Sequence, residues 1–240
     1  MNPLFLRARF IAIAGLALAS FASCAVVSPL PPFVVSKRTQ MHMGTLVTIT
    51  AVASEKNVGD RAIQAAFDEI KRLERLLSTW LRDSELSQVN AEAGRQPVQV
   101  SRETLELVAR SIEMAQLTHG GFNIALGPAI EAWSVIERQR IPDERELQQL
   151  KPLVDWTRIQ VNKEARTIYL PHKGMRIDVG GIGKGYAADR AVAEMKRVGV
   201  MGGVVALSGD IKAFGVLPDR KGFPVGIKHP RREEELIAMI

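Results

Sequence analysis

The fold is decided by the segment Asp178-Val179-Gly180-Gly181-Ile182-Gly183-Lys184-Gly185-Tyr186-Ala187-Ala188-Asp189, which joins two regular elements through a glycine-rich turn. Before it, Met175 to Val179 has the composition of a strand. After it, Lys184 to Val198 has the apolar spacing of a helix that ends at Gly199. Such a turn can direct backbone N–H groups and a lysine at a diphosphate, and the helix N-terminus adds partial positive charge.

The glycine spacing fits neither of the common phosphate-binding fingerprints. No Ser or Thr follows Lys184, as a P-loop requires, and Tyr186 stands where the third glycine of the dinucleotide fingerprint would fall. Taken alone, the segment therefore leaves two interpretations open. The glycines bind a phosphate, or they only permit a tight turn between strand and helix.

Upstream of this segment, the sequence predicts one strand and two long helices. Thr45 to Ala53 alternates and is rich in Val, Thr and Ile, which predicts a strand. Asp60 to Leu77 places apolar residues at helical spacing, with Asp60 as a candidate cap. A second amphipathic helix runs from Ser101, its expected cap, to the stop at Gly120 and Gly121.

Shorter elements fill the rest of the chain. Pro128 suits the first turn of a helix through Trp133, and Asp143 with Glu146 forms a capping-box pattern. Further strands are expected at Thr157 to Val161, Thr167 to Leu170, Gly203 to Leu207 and Val225 to Lys228. This mixture indicates an α+β or α/β architecture. We expect α+β, with mixed sheets and packed helices in one domain of two lobes.

The composition allows an ordinary globular core and argues against a nucleic-acid partner. The 240 residues are 46% hydrophobic, with a net charge of +6 and a pI near 9.7. The basic residues are spread along the chain rather than clustered with aromatic residues. A basic surface facing an anionic ligand or lipid fits this pattern.

The first residues read as an export signal. Arg7 and Arg9 precede the apolar run Phe10 to Ala22, which is too short to span a bilayer. The run ends at Phe21-Ala22-Ser23-Cys24, which resembles a bacterial lipobox except that Phe21 replaces the usual Leu. Either Cys24 is lipidated, or cleavage falls near Ala22 to Ala25 and the cysteine is incidental.

The expected domain boundaries follow from this start. Residues 1–23 form the signal, and their removal takes away two positive charges and leaves +4. Residues 24–38 form a lipidated N-terminus and a stiff, proline-rich tether. The folded domain is expected at 39–240, beginning near Thr39.

Five signatures, the glycine segment among them, occur in a fixed order along the domain. They are Met43-Gly44-Thr45, then Ser78-Thr79-Trp80 with Ser84-Glu85-Leu86-Ser87 and Asn90, then Gly121-Phe122-Asn123 with Gly127-Pro128 and Trp133, then the glycine segment, then Gly209-Asp210-Ile211. In this order and at these intervals, the chain resembles the FAD:protein FMN transferases, formerly described as thiamine-biosynthesis lipoproteins. The resemblance runs from about Met41 to Pro230.

The resemblance implies a reaction. Members of this family bind FAD, use Mg2+ to cleave its diphosphate, and join FMN through a phosphoester to a threonine of a target protein, releasing AMP. The implied target is a flavin-carrying subunit of a membrane electron-transfer complex. The implied location is the periplasmic side of the bacterial inner membrane, with Cys24 as the lipid anchor.

The family's functional residues carry over onto particular positions. The resemblance implies that Gly181 supplies a backbone carbonyl to magnesium, while catalytic residues stay unassigned. Asp189 is expected only to orient the helix start. The residues implied to contact FAD are Met43, Trp80, Gly121, Phe122, Asn123, Asp178 and Lys184.

Two positions depart from the family pattern. Trp80 replaces a frequent Tyr, which keeps an aromatic surface but loses the hydroxyl. Asn123 replaces the usual Asp, so that an ionic role there is lost. We expect Trp133 and Trp156 to lie in the core, and the four histidines show no metal-ligand spacing.

The relatives continue beyond the position of Ile240 into segments that supply acidic magnesium ligands. We therefore expect the sequence to be truncated at its C-terminus relative to the family. Two hypotheses stay open, namely a fragment of an active transferase or a truncated lipoprotein that binds FAD without transferring FMN. A third, a substrate-binding lipoprotein of unrelated chemistry, would make the order of the motifs a coincidence.

Overall fold

A four-stranded antiparallel sheet forms the centre of the fold. The computed structural model describes residues 33–134, 140–217, 219, 221–232 and 234–240. The sheet has the order β1-β2-β6-β7. Its strands are β1 (Val34–His42), β2 (Thr45–Ala53), β6 (Gly202–Leu207) and β7 (Asp210–Phe214). Because every neighbouring pair is antiparallel, the sheet is of the α+β type.

Strand β1 extends the domain beyond its expected start at Thr39. Val34 pairs with Ala53, and the register continues without a break to His42 and Thr45. The part of the expected tether that is described, from residue 33 to residue 38, therefore belongs to the sheet. The expected signal at residues 1–23, Cys24 and the remaining tether lie outside the described residues.

Two long helices, α1 (Lys56–Leu77) and α6 (Gly180–Val198), pack against each other and against this sheet. The α1 helix begins a turn before Asp60, the expected cap, which instead forms ion pairs with Lys56 and Arg38. The side of α1 toward the core consists of Gly59, Ala62, Ile63, Ala66, Phe67, Ile70, Leu73 and Leu77.

Helix α6 also begins earlier than the sequence predicted. The predicted turn residues Gly180 and Gly181 are already helical, although the helix ends as predicted at Gly199, which has a positive φ of 95°. One local and one tertiary contact accompany this start, and in the local one the Asp178 carboxylate accepts a hydrogen bond from the Gly180 N–H. The Phe122 ring occupies the space that a side chain at Gly181 would fill.

The remaining helices surround a small antiparallel sheet of order β3-β5-β4. The predicted caps are confirmed: Ser101 accepts a hydrogen bond from the Thr104 N–H and Asp143 accepts one from the Glu146 N–H. These elements are α2 (Glu85–Ala91), β3 (Val98–Gln99), α3 (Arg102–Leu117), α4 (Gly127–Trp133), α5 (Glu144–Leu150), β4 (Gln160–Asn162) and β5 (Thr167–Tyr169). One hydrophobic cluster joins them to the large sheet, so the two expected lobes share a continuous core.

The predicted strand Met175 to Val179 is not a strand. Its residues pair with no strand, and their hydrogen bonds go to other groups. Ile177 bonds to the side chain of Asn90, and the Asp178 N–H donates to the Ile124 carbonyl oxygen at 2.8 Å. The backbone polar groups of this segment are therefore satisfied without a sheet.

A two-stranded sheet, β8 (Gly226–Lys228) with β9 (Leu236–Met239), follows the central sheet in the chain. The first of these strands was predicted and the second was not. Among the described residues, none of the helices combines the length and the apolar character needed to cross a membrane.

Candidate functional site

A cleft of about 710 Å3 opens where the end of α1, the start of α4 and the segment before α6 meet. This volume lies in the range of pockets that hold small-molecule ligands and cofactors. It brings together Trp80 and Asp178, two of the residues that the sequence assigned to FAD. Residues 98 positions apart in the chain therefore line one cavity.

The walls of the cleft are aromatic and apolar. Trp80 is 75% exposed and Trp133 is 39% exposed, and both line the cavity together with Leu126 and Ile130. The expectation that Trp133 lies in the core is therefore wrong. Helix α4 is short and surface-exposed on this side, so it presents its last aromatic residue to the cleft. Exposed large apolar side chains that share one cavity indicate a ligand surface.

The polar side of the cleft is centred on Asp178. Its Oδ1 accepts a hydrogen bond from the Gly180 N–H at 2.7 Å, and its Oδ2 accepts one from Thr79 Oγ1 at 2.9 Å. Two hydrogen bonds fix the direction of the carboxylate and leave further lone pairs for a ligand or an ion. Thr79 and Asn90 also line the cleft. The sequence placed both in a motif but gave neither a role.

A charged pair marks the rim of the cleft. Arg176 Nε lies 3.2 Å from Glu131 Oε1, which connects the segment before α6 to helix α4. Both side chains are more than a third exposed, so their attraction contributes little to stability. The pair does place a guanidinium and a carboxylate beside the two tryptophans.

Four more of the predicted residues gather at the first turns of α6. A Cβ atom on Gly181 would lie 3.2 Å from Phe122 Cε2, and one on Gly183 would lie 3.9 Å from Met43 Cε. Met43 and Phe122 therefore cover the glycine face of the helix. Lys184 follows on the same helix and is half-buried.

The β1–β2 turn that carries Met43 is held in a left-handed conformation. Met43 and Gly44 have φ values of 49° and 70°, as the central residues of a two-residue hairpin require. The Met43 N–H donates to Glu74 Oε1 at 2.7 Å. This bond from α1 stabilises a conformation that a non-glycine residue adopts at a cost.

The 121–123 segment is engaged mainly with the protein itself. The Phe122 N–H donates to Thr118 Oγ1 at 2.9 Å, and Gly121 is exposed beside the same threonine. Asn123 Oδ1 accepts a hydrogen bond from the Ala125 N–H at 2.7 Å, while its Nδ2 donates to the Val154 carbonyl oxygen at 2.8 Å. An amide can therefore satisfy this structural position, and contact of these residues with FAD stays a prediction.

The amides at the start of α6 are largely occupied. The N–H groups of Ile182 and Gly183 both donate to the Val179 carbonyl oxygen, at 3.0 and 2.7 Å, and that of Gly180 donates to Asp178. The sequence had directed these N–H groups at a diphosphate. The positive end of the helix dipole remains, and Lys184 lies on the second turn of the same helix.

The residues described around Gly181 do not by themselves fit magnesium. In an α-helix, the carbonyl of residue 181 points along the axis toward the N–H four residues on, rather than into open space. Within the described part of the chain, no group of three or more His, Cys, Asp or Glu side chains is placed to hold a metal ion. Mg2+ needs nearly octahedral oxygen coordination, usually with carboxylate or phosphate help.

A charge network that the sequence did not reveal fixes α6 against α1 and α3. The Tyr186 hydroxyl donates to Glu103 Oε1 at 2.8 Å, and Arg72 Nη2 lies 2.6 Å from Glu103 Oε2. Burial, aided by Glu103, raises the pKa of Tyr186 to about 12. The hydrogen bonds from Arg72 lower the pKa of Glu69. The network holds the helix that carries Lys184.

Asp189, farther along α6, pairs with Lys212 of β7.

An antiparallel sheet backed by two helices, with an aromatic cleft beside the start of one of them, defines an α+β protein with a ligand site of nucleotide size. A model of the ApbE family matches residues 43–240. The chain belongs to the ApbE family.

Curated relatives carry the name FAD:protein FMN transferase. The protein of Treponema pallidum is 28% identical over 219 residues, which is 85% of this chain and 60% of the relative. A Klebsiella pneumoniae protein is 26% identical over 78% of this chain and 57% of its own length. The chain therefore spans about 60% of the length of the relatives it matches.

Solved structures agree with the fold. The ApbE protein of Thermotoga maritima superposes with a TM-score of 0.78 at 25% identity, covering 86% of this chain and 67% of that one. The flavin transferase ApbE of Vibrio cholerae gives 0.76 at 21% identity, covering 83% and 65%. The α+β prediction and the predicted family are both confirmed.

Proposed function

We propose that this chain binds FAD in the cleft between Trp80 and Asp178, as part of an enzyme that transfers FMN from FAD to a threonine of a target protein. Membership of the ApbE family and the names of the curated relatives support the reaction. The single observation that carries the site is the meeting of an exposed aromatic wall and a fixed carboxylate beside the first turn of α6.

The ring systems of FAD and its diphosphate need different surroundings. Trp80 and Trp133 offer flat, polarisable surfaces on which an isoalloxazine ring or an adenine can stack. The diphosphate carries negative charge, and the positive end of a 19-residue helix begins two residues after Asp178, with Lys184 on its second turn.

The proposed reaction balances without an oxidant or reductant. The threonine oxygen forms a bond to the phosphorus of the FMN half, and the diphosphate P–O bond breaks so that AMP leaves. The hydroxyl proton passes to solvent or a base. Catalysis of such transfers depends on positioning and on neutralising charge around the phosphorus. In this chain, Lys184 is the residue that we assign to charge neutralisation.

Magnesium belongs to the proposal as the metal of this reaction. Asp178 keeps lone pairs beyond its two hydrogen bonds, and the FAD diphosphate adds oxygens of the type that Mg2+ selects. Since the described residues do not fit the ion by themselves, Mg2+ should bind more tightly to the FAD complex than to the free chain. A calorimetric titration of Mg2+ with and without FAD measures this difference, and equal affinities would contradict it.

Incubation of residues 24–240 with FAD, Mg2+ and a threonine-containing peptide tests the function. The peptide is taken from a flavin-carrying subunit of a membrane electron-transfer complex, which is the target class we propose. Covalent FMN on the peptide, detected by mass, and AMP, detected by chromatography, are the expected products. A peptide with Ala in place of Thr is the matched control.

The described residues around Gly181 do not by themselves fit Mg2+, and this favours a second function, namely FAD binding without FMN transfer. Calorimetry with FAD separates the two. Tight binding with no FMN on the peptide supports the second function, and absence of FAD binding overturns both. Trp80→Ala should weaken binding about tenfold through loss of stacking. Its folding should be unchanged because Trp80 is 75% exposed.

We also propose that the protein is anchored by a lipid on Cys24 at the periplasmic side of the inner membrane. The lipobox-like sequence and the proline-rich segment after it support this location. Cys24→Ala should move the processed protein from the membrane to the soluble fraction, since the remaining segment is too short and too rich in proline to hold a bilayer. Fractionation and immunoblotting measure where the mutant is. Membrane retention of a processed mutant would contradict the anchor.

A further inference from the structure

Asn90 makes a paired contact with the backbone just before Asp178. Its Nδ2 donates to the Ile177 carbonyl oxygen at 2.9 Å, and its Oδ1 accepts a hydrogen bond from the Ile177 N–H at 2.8 Å. Asn90 is only 7% exposed and lies on α2, 87 residues away in the chain. One side chain thus replaces the two hydrogen bonds that a neighbouring strand would make.

Thr79 holds the carboxylate that follows. Its Oγ1 donates to Asp178 Oδ2 at 2.9 Å, from the segment after α1. That segment is itself fixed by Ser84, which is fully buried: Ser84 Oγ donates to the Ser78 carbonyl oxygen at 2.6 Å and caps α2 through the Ser87 N–H. Helix α2 therefore carries Asn90, and its cap residue Ser84 holds the segment that contains Thr79.

We infer that Thr79 and Asn90 are positioning residues that hold Asp178 in one geometry and thereby set the affinity of the cleft for FAD. The inference rests on the proposed function. Asn90 fixes the backbone on one side of Asp178, Thr79 fixes its carboxylate, and the Gly180 N–H fixes the other oxygen. Without these bonds the carboxylate can rotate, and ordering it again on binding reduces the affinity.

Substitution of Thr79 separates positioning from shape. Thr79→Val keeps the branched side chain and removes the donor, whereas Thr79→Ser keeps the donor. By calorimetry, FAD affinity should fall roughly tenfold in Thr79→Val and recover to within about threefold of the parent in Thr79→Ser. Thr39→Val is the matched control, because the Thr39 hydroxyl bonds to Thr48 on the central sheet and not in the cleft.

Amide hydrogen exchange tests the same contacts without a ligand. In the free protein, Asn90→Ala should raise the exchange rate of the Ile177 and Gly180 amides roughly tenfold, while amides in β2 keep the parent rate. Thr79→Val should do the same at Gly180. Should Asn90→Ala fail to fold, Thr79→Val decides on its own through the same exchange measurement.

The outcomes divide cleanly. Lower affinity in Thr79→Val with recovery in Thr79→Ser, together with faster amide exchange in the variants, supports the inference. Parent affinity in Thr79→Val, or unchanged exchange in the variants, overturns it. A parent that does not bind FAD defeats the proposed function instead, and the exchange comparison still decides whether these residues position Asp178.

Discussion

Gly127, the first residue of α4, is the position where one added methyl group should damage the fold most directly. A Cβ atom there would lie 2.6 Å from Arg176 Cβ and 2.8 Å from the Arg176 carbonyl oxygen. Both distances are too short for contact, and the second involves backbone. Gly127→Ala must therefore push α4 away from the segment that leads to Asp178.

The expected loss of stability follows from two opposing terms. Overpacking a close contact costs about 1–3 kcal/mol, whereas replacing Gly by Ala in a helix gains up to about 1 kcal/mol. The net loss should be about 1–2 kcal/mol. Because α4 carries Ile130 and Trp133 into the cleft, the same displacement should also weaken FAD binding.

Equilibrium unfolding in urea measures the change in the free energy of unfolding. Gly222→Ala is the matched control, since a Cβ atom there meets no atom within 4 Å, and its effect should stay within about 0.5 kcal/mol. If Gly127→Ala unfolds at the same urea concentration as the control, the close approach of α4 to residue 176 is wrong.

Two further predictions concern helix α6. Lys184→Ala should weaken FAD binding by about 1.5–3 kcal/mol, which is the size of a charge-assisted hydrogen bond, and should leave the melting temperature unchanged. Equal FAD affinity of mutant and parent by calorimetry would remove Lys184 from the site. Tyr186→Phe should lower the free energy of unfolding by about 1.5 kcal/mol at neutral pH through loss of the bond to Glu103. Because the pKa of Tyr186 is raised to about 12, this contribution is complete below about pH 10 and is lost as the pH rises toward 12. The stability of parent and Tyr186→Phe should therefore converge over that range, and a constant difference would contradict the assigned pKa.

Local signals in the sequence predicted local structure well. The caps at Ser101 and Asp143 are confirmed because each side chain bonds to an N–H only three residues away. The stop at Gly199 is confirmed because the required positive φ favours glycine. Such interactions are set within one helical turn, so the sequence carries them completely.

Elements that depend on distant partners could not be read in this way. Met175 to Val179 has a strand-like composition, yet its hydrogen bonds come from Asn90 and Ile124 rather than from a strand. Strand β1 was not predicted. One reason is that its first residues follow a run of prolines and resemble a tether. Its assignment depends on pairing with β2, which the alternation of one strand does not specify.

The candidate site shows the same division. Trp80 and Asp178 could be proposed from motifs, but their common cavity also needs Trp133, which the sequence assigned to the core. Asn90 and Thr79 belong to a quoted motif, and only the fold shows that both reach the segment around Asp178. The motifs therefore identified which residues belong to the candidate site, while the contacts in the structure identified what each of them holds.

The start of α6 changes how an anion would be bound there. A glycine loop would direct several free N–H groups at a phosphate, but Gly180, Ile182 and Gly183 already donate theirs to Asp178 and Val179. The helix dipole remains and is limited to about half a charge at the N-terminus. A diphosphate in this cleft therefore depends on a full positive charge from a side chain. Arg176, which lines the cleft, is already paired with Glu131, so the proposed function assigns this charge to Lys184, on the helix that the Tyr186 and Glu103 contact holds.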